Sequence, residues 1–223
     1  PAFALPQGES VQHGDVGFNR SGDTLTVNQA SSSAIVNYDS FSIGRAETVH
    51  FLQPSSSAAI LNRVTGLTSS EIAGMLLANG NVYLINPNGI VFTSTAQVDV
   101  GGLVASALNM SDSDFLAGSL SFSGGDGSVI NHGNISADNF IYLLGGTVEN
   151  YSGISASDII MGAGTQSVVI DNIAGGEIRV TIDGQEVSLD NLADGEDTTN
   201  PGMVINEGTI DASGDVGGAI SIS

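Results

Sequence analysis

Short runs of aliphatic and β-branched residues recur along the whole chain, bounded by glycine, serine, threonine or asparagine. Runs of this length with turn residues at both ends predict many short strands and an all-β fold. The pattern also repeats. Val129-Ile130-Asn131-His132-Gly133-Asn134-Ile135-Ser136-Ala137 returns as Val148-Glu149-Asn150-Tyr151-Ser152-Gly153-Ile154-Ser155-Ala156 and as Val204-Ile205-Asn206-Glu207-Gly208-Thr209-Ile210-Asp211-Ala212. Asn131 and Asn150 are 19 positions apart; Asn150 and Asn206 are 56 apart, close to three such periods. A strand, turn and strand of this period predict one coil of a parallel β-solenoid, whose coils pair along the axis and share an inward apolar column. Ile130, Ile135, Ile154, Ile205 and Ile210 are the expected column. Asn131, Asn150 and Asn206 are either a ladder of corner amides or three independent turn asparagines.

Other segments depart from the repeat. Glu177 to Leu189 alternates about Asp183-Gly184, a two-residue hairpin signal, so residues 177–200 are expected to leave the coil stack, with Asp190 to Asn200 as an acidic exposed loop. Two short helices are predicted. Thr68-x-x-Glu71 matches a capping box ahead of Ile72, Met75 and Leu76, with a stop at Asn79-Gly80; Ser111-x-x-Asp114 precedes Phe115-Leu116-Ala117-Gly118. Residues 5–50, with strands near Thr24 to Val27, Ala34 to Asn37 and Thr48 to Leu52, are expected to cap the solenoid, because an open end invites aggregation. Residues 51–223 would then be the coils.

Composition narrows the function. The 223 residues contain no cysteine, so neither disulfides nor thiolate metal sites are available. Arg20, Arg45, Arg63 and Arg179 are the only basic side chains against 24 carboxylates, a net charge of −20. That balance argues against nucleic acid and against anionic lipid, and favours a soluble monomer. No apolar stretch reaches the roughly twenty residues that span a bilayer, so membrane insertion is not expected. Pro1-Ala2-Phe3-Ala4 carries a small-x-small pattern like the tail of a signal-peptide cleavage site. Gly217 to Ser223 stops inside an alternating strand, and the coils are expected to continue into a longer protein.

Catalytic chemistry is hard to find. His13, His50 and His132 have no partner at zinc-like spacing, and there is neither a nucleophile elbow nor a phosphate loop ending in lysine. Asp190, Asp194, Glu196 and Asp197 are the remaining candidates for a calcium site or a carboxylate-based hydrolase or lyase. They lie in a loop of solvating composition with no basic group nearby. Gly124-Gly125-Asp126-Gly127 is a single copy of a calcium-repeat pattern that needs several. The reading is therefore not an enzyme, with no catalytic residue, no metal and no cofactor.

The turn Asn86-Pro87-Asn88-Gly89 sits between Val82-Tyr83-Leu84-Ile85 and Ile90-Val91-Phe92. Proline presets φ at the second turn position, and asparagine and glycine suit the third and fourth. Upstream lies Phe51 to Gly66 with Ile60-Leu61-Asn62-Arg63-Val64-Thr65; downstream lies Gly101-Gly102-Leu103-Val104-Ala105-Ser106. This text, in this order, resembles the N-terminal secretion domain of large two-partner-secreted exoproteins, the group containing filamentous haemagglutinin and the high-molecular-weight adhesins of Gram-negative bacteria. The resemblance covers nearly the whole chain. A further Asn-Pro-Asn-Leu element of filamentous haemagglutinin is missing, which places the chain nearer the adhesin branch.

The resemblance implies a right-handed, single-stranded parallel β-helix with an N-terminal cap. It also implies export through the periplasm, recognition by the periplasmic POTRA domains of a TpsB-type outer-membrane β-barrel transporter, and folding at the cell surface or in the medium. Asn86, Pro87, Asn88 and Gly89 would then serve transporter recognition or fold nucleation, with Asn62 and Arg63 as weaker candidates. A second reading makes the domain itself adhesive, its solenoid surface or the Ile178 to Leu189 hairpin contacting a host glycan, matrix protein or polysaccharide. Such contacts are otherwise expected of a downstream passenger.

Overall fold

A computed structural model of the chain describes residues 5–164, 166–173, 177–187, 202–212 and 220–222. The chain is a parallel β-helix. β1 (Ser10–His13) and β2 (Val16–Ser21) pair antiparallel with β4 (Ser33–Tyr38) and β3 (Thr24–Gln29), closing the first coil. The coils that follow contribute up to three strands each: β5 (Thr48–Leu52), β6 (Ala59–Val64) and β7 (Ser70–Ile72); β8 (Met75–Ala78), β9 (Asn81–Ile85) and β10 (Ile90–Phe92). β11 (Gln97–Val100) and β12 (Gly102–Ser106) open the next coil, and α1 (Asp112–Ala117) and β13 (Leu120–Ser123) interrupt it before β14 (Ser128–Asn131). β15 (Asn134–Ala137), β16 (Phe140–Gly145) and β17 (Thr147–Asn150) form an uninterrupted coil. β18 (Gly153–Ser155) and β19 (Asp158–Ala163) are parted from β23 (Met203–Asn206) by β20 (Ser167–Ile173), β21 (Glu177–Ile182) and β22 (Gln185–Val187). β24 (Thr209–Asp211) and β25 (Ile220–Ile222) follow.

Stacking these coils makes three faces. The first runs β2-β3-β5-β8-β11-β15-β18-β24, the second β1-β4-β6-β9-β12-β16-β19-β25 and the third β7-β10-β14-β17-β23. On the first face alternate residues point inward, so Leu25 and Val27, Val49 and Phe51, Leu76, Val98 and Ile135 are buried one above another. The second face is buried on both sides: every residue of β12 is buried. The reason is that both interruptions leave the coil between the second and third faces and then join. β13 pairs antiparallel with β20, and β20, β21 and β22 continue a four-stranded sheet whose apolar residues pack with Leu61, Ile85, Val104, Tyr142 and Ile160.

The second predicted helix forms as expected. Ser111 caps α1, accepting from the Asp114 N–H at 3.0 Å, and Gly118 ends it at φ 71°. The hairpin turn holds Asp183 at φ 48° and Gly184 at φ 82°, the positive pair such a turn needs. The acidic loop with Asp190, Asp194, Glu196 and Asp197, the small-x-small pattern at residues 1–4 and most of the final alternating run lie outside the described residues.

Three expectations are corrected. Thr68 to Gly80 is not a helix: β7 and β8 turn a corner there, with Ile72 and Leu76 inward from two different strands and Met75 outward. A Cβ on Gly74 would come within 2.2 Å of the Gly44 and Glu47 carbonyl oxygens, so the corner is tightly packed by the coil beneath. Within residues 5–50, parallel pairing already begins with β3 against β5 and β4 against β6. The 56-residue gap is one coil, not three: Asn150 and Asn206 are direct register partners, and the excursion through β20 to β22 fills the interval. Finally, Ile130 and Ile205 face outward beside Glu149, while Val129 and Val148 point in. Asn131 is itself fully buried, which sets the parity of its strand and turns the residue before it out.

Candidate functional site

The corner after β9 is built by asparagine side chains. Gly89 N–H donates to the Asn86 carbonyl at 2.9 Å, closing the turn, and Gly89 follows at φ 103°. The Asn86 side chain is fully buried and all its hydrogen-bonding capacity is directed at neighbours. Its Nδ2 donates to the Thr68 carbonyl at 3.0 Å and to Ser70 Oγ at 2.9 Å, and its Oδ1 accepts from the Asn88 N–H at 3.0 Å. Asn88 is exposed, yet its Nδ2 donates to the Gly66 carbonyl at 2.9 Å and to Asn86 Oδ1 at 3.1 Å. The turn is thus sewn to residues 66–70 of the preceding coil. On its other side it meets the following coil, where a Cβ on Gly127 would lie 2.6 Å from the Pro87 carbonyl oxygen.

Asn62 and Arg63 do not join this cluster. They pair in register with Leu84 and Ile85, just short of the turn, and point to opposite sides of their strand. Asn62 is fully buried in the interior, with Nδ2 donating to the Tyr83 carbonyl at 3.2 Å and Oδ1 without a partner among the described residues. Arg63 faces outward and ties down the first interruption. Its Nη2 donates to the Met110 carbonyl at 2.6 Å, its Nη1 lies 2.7 Å from the Asp112 carboxylate, and Nη1 also reaches Asn37 Oδ1 at 3.4 Å. These contacts make Asn62 and Arg63 structural anchors on the two sides of the second face.

A second set of asparagines lines the corner at the other end of the third face, where β14, β17 and β23 finish. Asn131 Nδ2 donates to Asn150 Oδ1 at 2.8 Å, and Asn150 Nδ2 donates to Asn206 Oδ1 at 2.8 Å, a ladder running through three coils. Outside it, the exposed His132 ring stacks on Tyr151 with centroids 4.9 Å apart. Tyr151 donates to Glu149 at 3.1 Å, and that carboxylate holds its phenol above the ordinary range. Among the described residues no three histidine, aspartate or glutamate side chains converge as metal ligands.

Sequence reasoning found the turn and missed what it holds. Gly66, Thr68 and Ser70 complete the site, and the capping-box pattern of Thr68 to Glu71 drew attention to a helix instead. One signal was present: Gly66 directly follows Asn62-Arg63-Val64-Thr65, and a Cβ there would meet the Asp39 carbonyl oxygen at 2.1 Å.

Comparison with known proteins places this geometry. A family model described as the TPS secretion domain matches residues 2–222. The crystal structure of the HMW1 secretion domain from Haemophilus influenzae matches at a TM-score of 0.80 with 31% identity, over 96% of this chain and 55% of that one. The filamentous hemagglutinin secretion domain shares the fold, at a TM-score of 0.58 with 16% identity over 96% of this chain and 76% of that one. A heme/hemopexin-binding protein of Haemophilus influenzae, strain Rd, is 41% identical over 106 residues, which are 48% of this chain and 12% of that relative.

Proposed function

The chain belongs to the TPS secretion domain family, whose exoproteins cross the outer membrane of Gram-negative bacteria, and on that premise we propose how its corner turn serves export. The domain is recognised by the periplasmic POTRA domains of a TpsB-type transporter and nucleates β-helix folding as it emerges, ahead of a large adhesin-type passenger. The observation that carries this reading is the Asn86 amide, buried at 0% exposure, whose Nδ2 joins its coil to the one before it while its Oδ1 braces the turn through Asn88.

In an extended chain the same amides are free to bind a partner, and on folding they satisfy backbone carbonyls that would otherwise be stranded at a corner. Once the corner closes, each further coil buries its inward residues on the last, and sliding back through a pore means exposing them again. Two-partner export can draw its direction from that asymmetry. No catalytic step is required of the domain.

The test is export of the chain beside its partner transporter. Asn86→Ala is expected to cut the amount reaching the medium by about tenfold, matching the loss of several buried hydrogen bonds. Asn88→Ala, whose side chain is exposed, is expected to cut it less. Normal export of both variants would sink the role given to the turn.

A further inference from the structure

The outer side of the second face carries an apolar row that the coils themselves do not cover. In register from coil to coil it runs Ile35, Leu61, Tyr83, Val104, Tyr142 and Ile160. The next register partner is Ser221, and there the row stops. An apolar row of this length left in water would be a sticky surface. Its cover comes from elsewhere in the chain: Phe115 and Phe122 from the first interruption, Val168, Ile170, Val180 and Ile182 from the second.

The connectivity makes that cover late. Strands β14 to β19 find their ladder partners in coils that precede them: β14 pairs with β10, β15 with β11 and β16 with β12, then β17 with β14, β18 with β15 and β19 with β16. β13 has no such partner. Its one strand neighbour is β20, which starts at Ser167, 44 positions after Ser123. Without β20, β13 keeps only the bridge between Ser123 and Asn109. The six-residue α1 is no firmer, being far below the roughly twelve residues at which an isolated helix becomes marginal. The first half of the cover therefore waits for the second, while the coils between them do not.

We propose that the outer layer is a clasp that closes last. The coils through β19 stack with the outer side of the second face bare, and the arrival of β20 and β21 draws β13 and α1 down onto it. The turn at Asn86 starts the stack; the clasp finishes it. The bearing on export rests on the function proposed above, in which residues fold in the order they emerge. There the clasp adds a final barrier to return, because back-sliding must open the outer layer before it reaches the coils beneath. The order of closure stands without that reading.

The experiment refolds the 223-residue chain from urea and labels its amides with hydrogen-exchange pulses at increasing delays. Amides of β9, β12 and β16 are expected to be protected at least about tenfold sooner than those of β13, β20 and β21, with the apolar dye ANS bound in the interval and released at its end. Phe122→Ala is expected to leave the rate of coil protection within about twofold of the wild type, the pattern of a contact made after the rate-limiting step. In the finished domain it should speed exchange of β13, β20 and β21 by more than about a hundredfold, whereas Phe122→Leu, which keeps most of the apolar volume, should speed it by less than about tenfold. Protection of both groups together overturns the clasp, and so does an interval in which no dye is bound. A Phe122→Ala chain whose coils form about a hundredfold more slowly also overturns it, because the outer layer would then belong to the folding nucleus. Failure of the export reading looks different: Asn86→Ala and Asn88→Ala would be exported normally while the order of protection stood.

Discussion

The inner and outer sides of the second face are both dry, but they are kept dry by different means. Inside, Ile60, Leu84, Leu103 and Ile141 are covered by the other two faces of their own coils, so the cover is renewed with every turn of the chain. Outside, Leu61, Ile85, Val104, Tyr142 and Ile160 are covered by Phe115 of α1 and by Phe122, Val168, Ile170, Val180 and Ile182 of the inserted sheet. That cover comes from two excursions that are distant in sequence and meet through β13 and β20. The inner core is therefore shared among neighbouring coils, whereas the outer layer is a single unit resting on one patch.

The largest effects should separate the two sides. Leu103→Ala and Phe122→Ala each empty a fully buried site and should each cost about 3–4 kcal/mol. The leucine variant should lower the midpoint of the whole unfolding transition. The phenylalanine variant should instead let the amides of β13, β20 and β21 exchange early while those of the first and third faces stay protected. If hydrogen exchange shows the first and third faces opening equally in both variants, the outer layer is not a separate unit.

A smaller effect sharpens the seam. Arg63 is on the outer side of β6 and holds Met110 and Asp112, so Arg63→Ala should loosen α1 at a cost of about 2 kcal/mol. Asp112 is half exposed, so Asp112→Asn should cost less than about 1 kcal/mol and depend on salt. Exchange at the α1 amides is the readout, and equal losses in the two variants would show that the carbonyl bond to Met110 contributes nothing.

This contrast also explains what could be read from the chain. The inner core repeats, and repetition is visible: Ile135, Ile154 and Ile210 stack as expected, and the ladder of Asn131, Asn150 and Asn206 forms. Parity was misread at Ile130 and Ile205 because a buried asparagine looks like an outward residue to a pattern of polar and apolar positions. The outer layer does not repeat, and nothing in the text of residues 107–127 states that they will meet residues 167–173. The 56-residue interval consequently passed for three coils. At the turn the residue types were legible, yet their partners at Gly66, Thr68 and Ser70 were not, since the carbonyl acceptors of Gly66 and Thr68 leave no mark on composition and Ser70 Oγ is one hydroxyl among many.

The last effect is the smallest at neutral pH and grows only in alkali, where it compares the water content of the two sides. Tyr83 belongs to the outer layer, its ring edge-on to Phe115 at 5.2 Å, and burial pushes its phenol from 10.0 up to about 12. Burial raises Tyr142 beside it and Tyr38 in the inner core as well. Each ionises near 10 in the unfolded chain and later in the folded one, so their contribution to stability is complete below pH 10. It is lost as the pH rises from 10 through the folded value, by at most about 1.4 kcal/mol per pH unit for each tyrosine. Tyr83→Phe keeps the ring and removes the proton. At pH 7 its stability should stay within about 0.5 kcal/mol of the wild type, and between pH 10 and 12 its decline should be shallower by one tyrosine's share. Urea midpoints measured across that range decide the matter: parallel declines would mean that water reaches Tyr83, and that the outer side is wetter than the inner one.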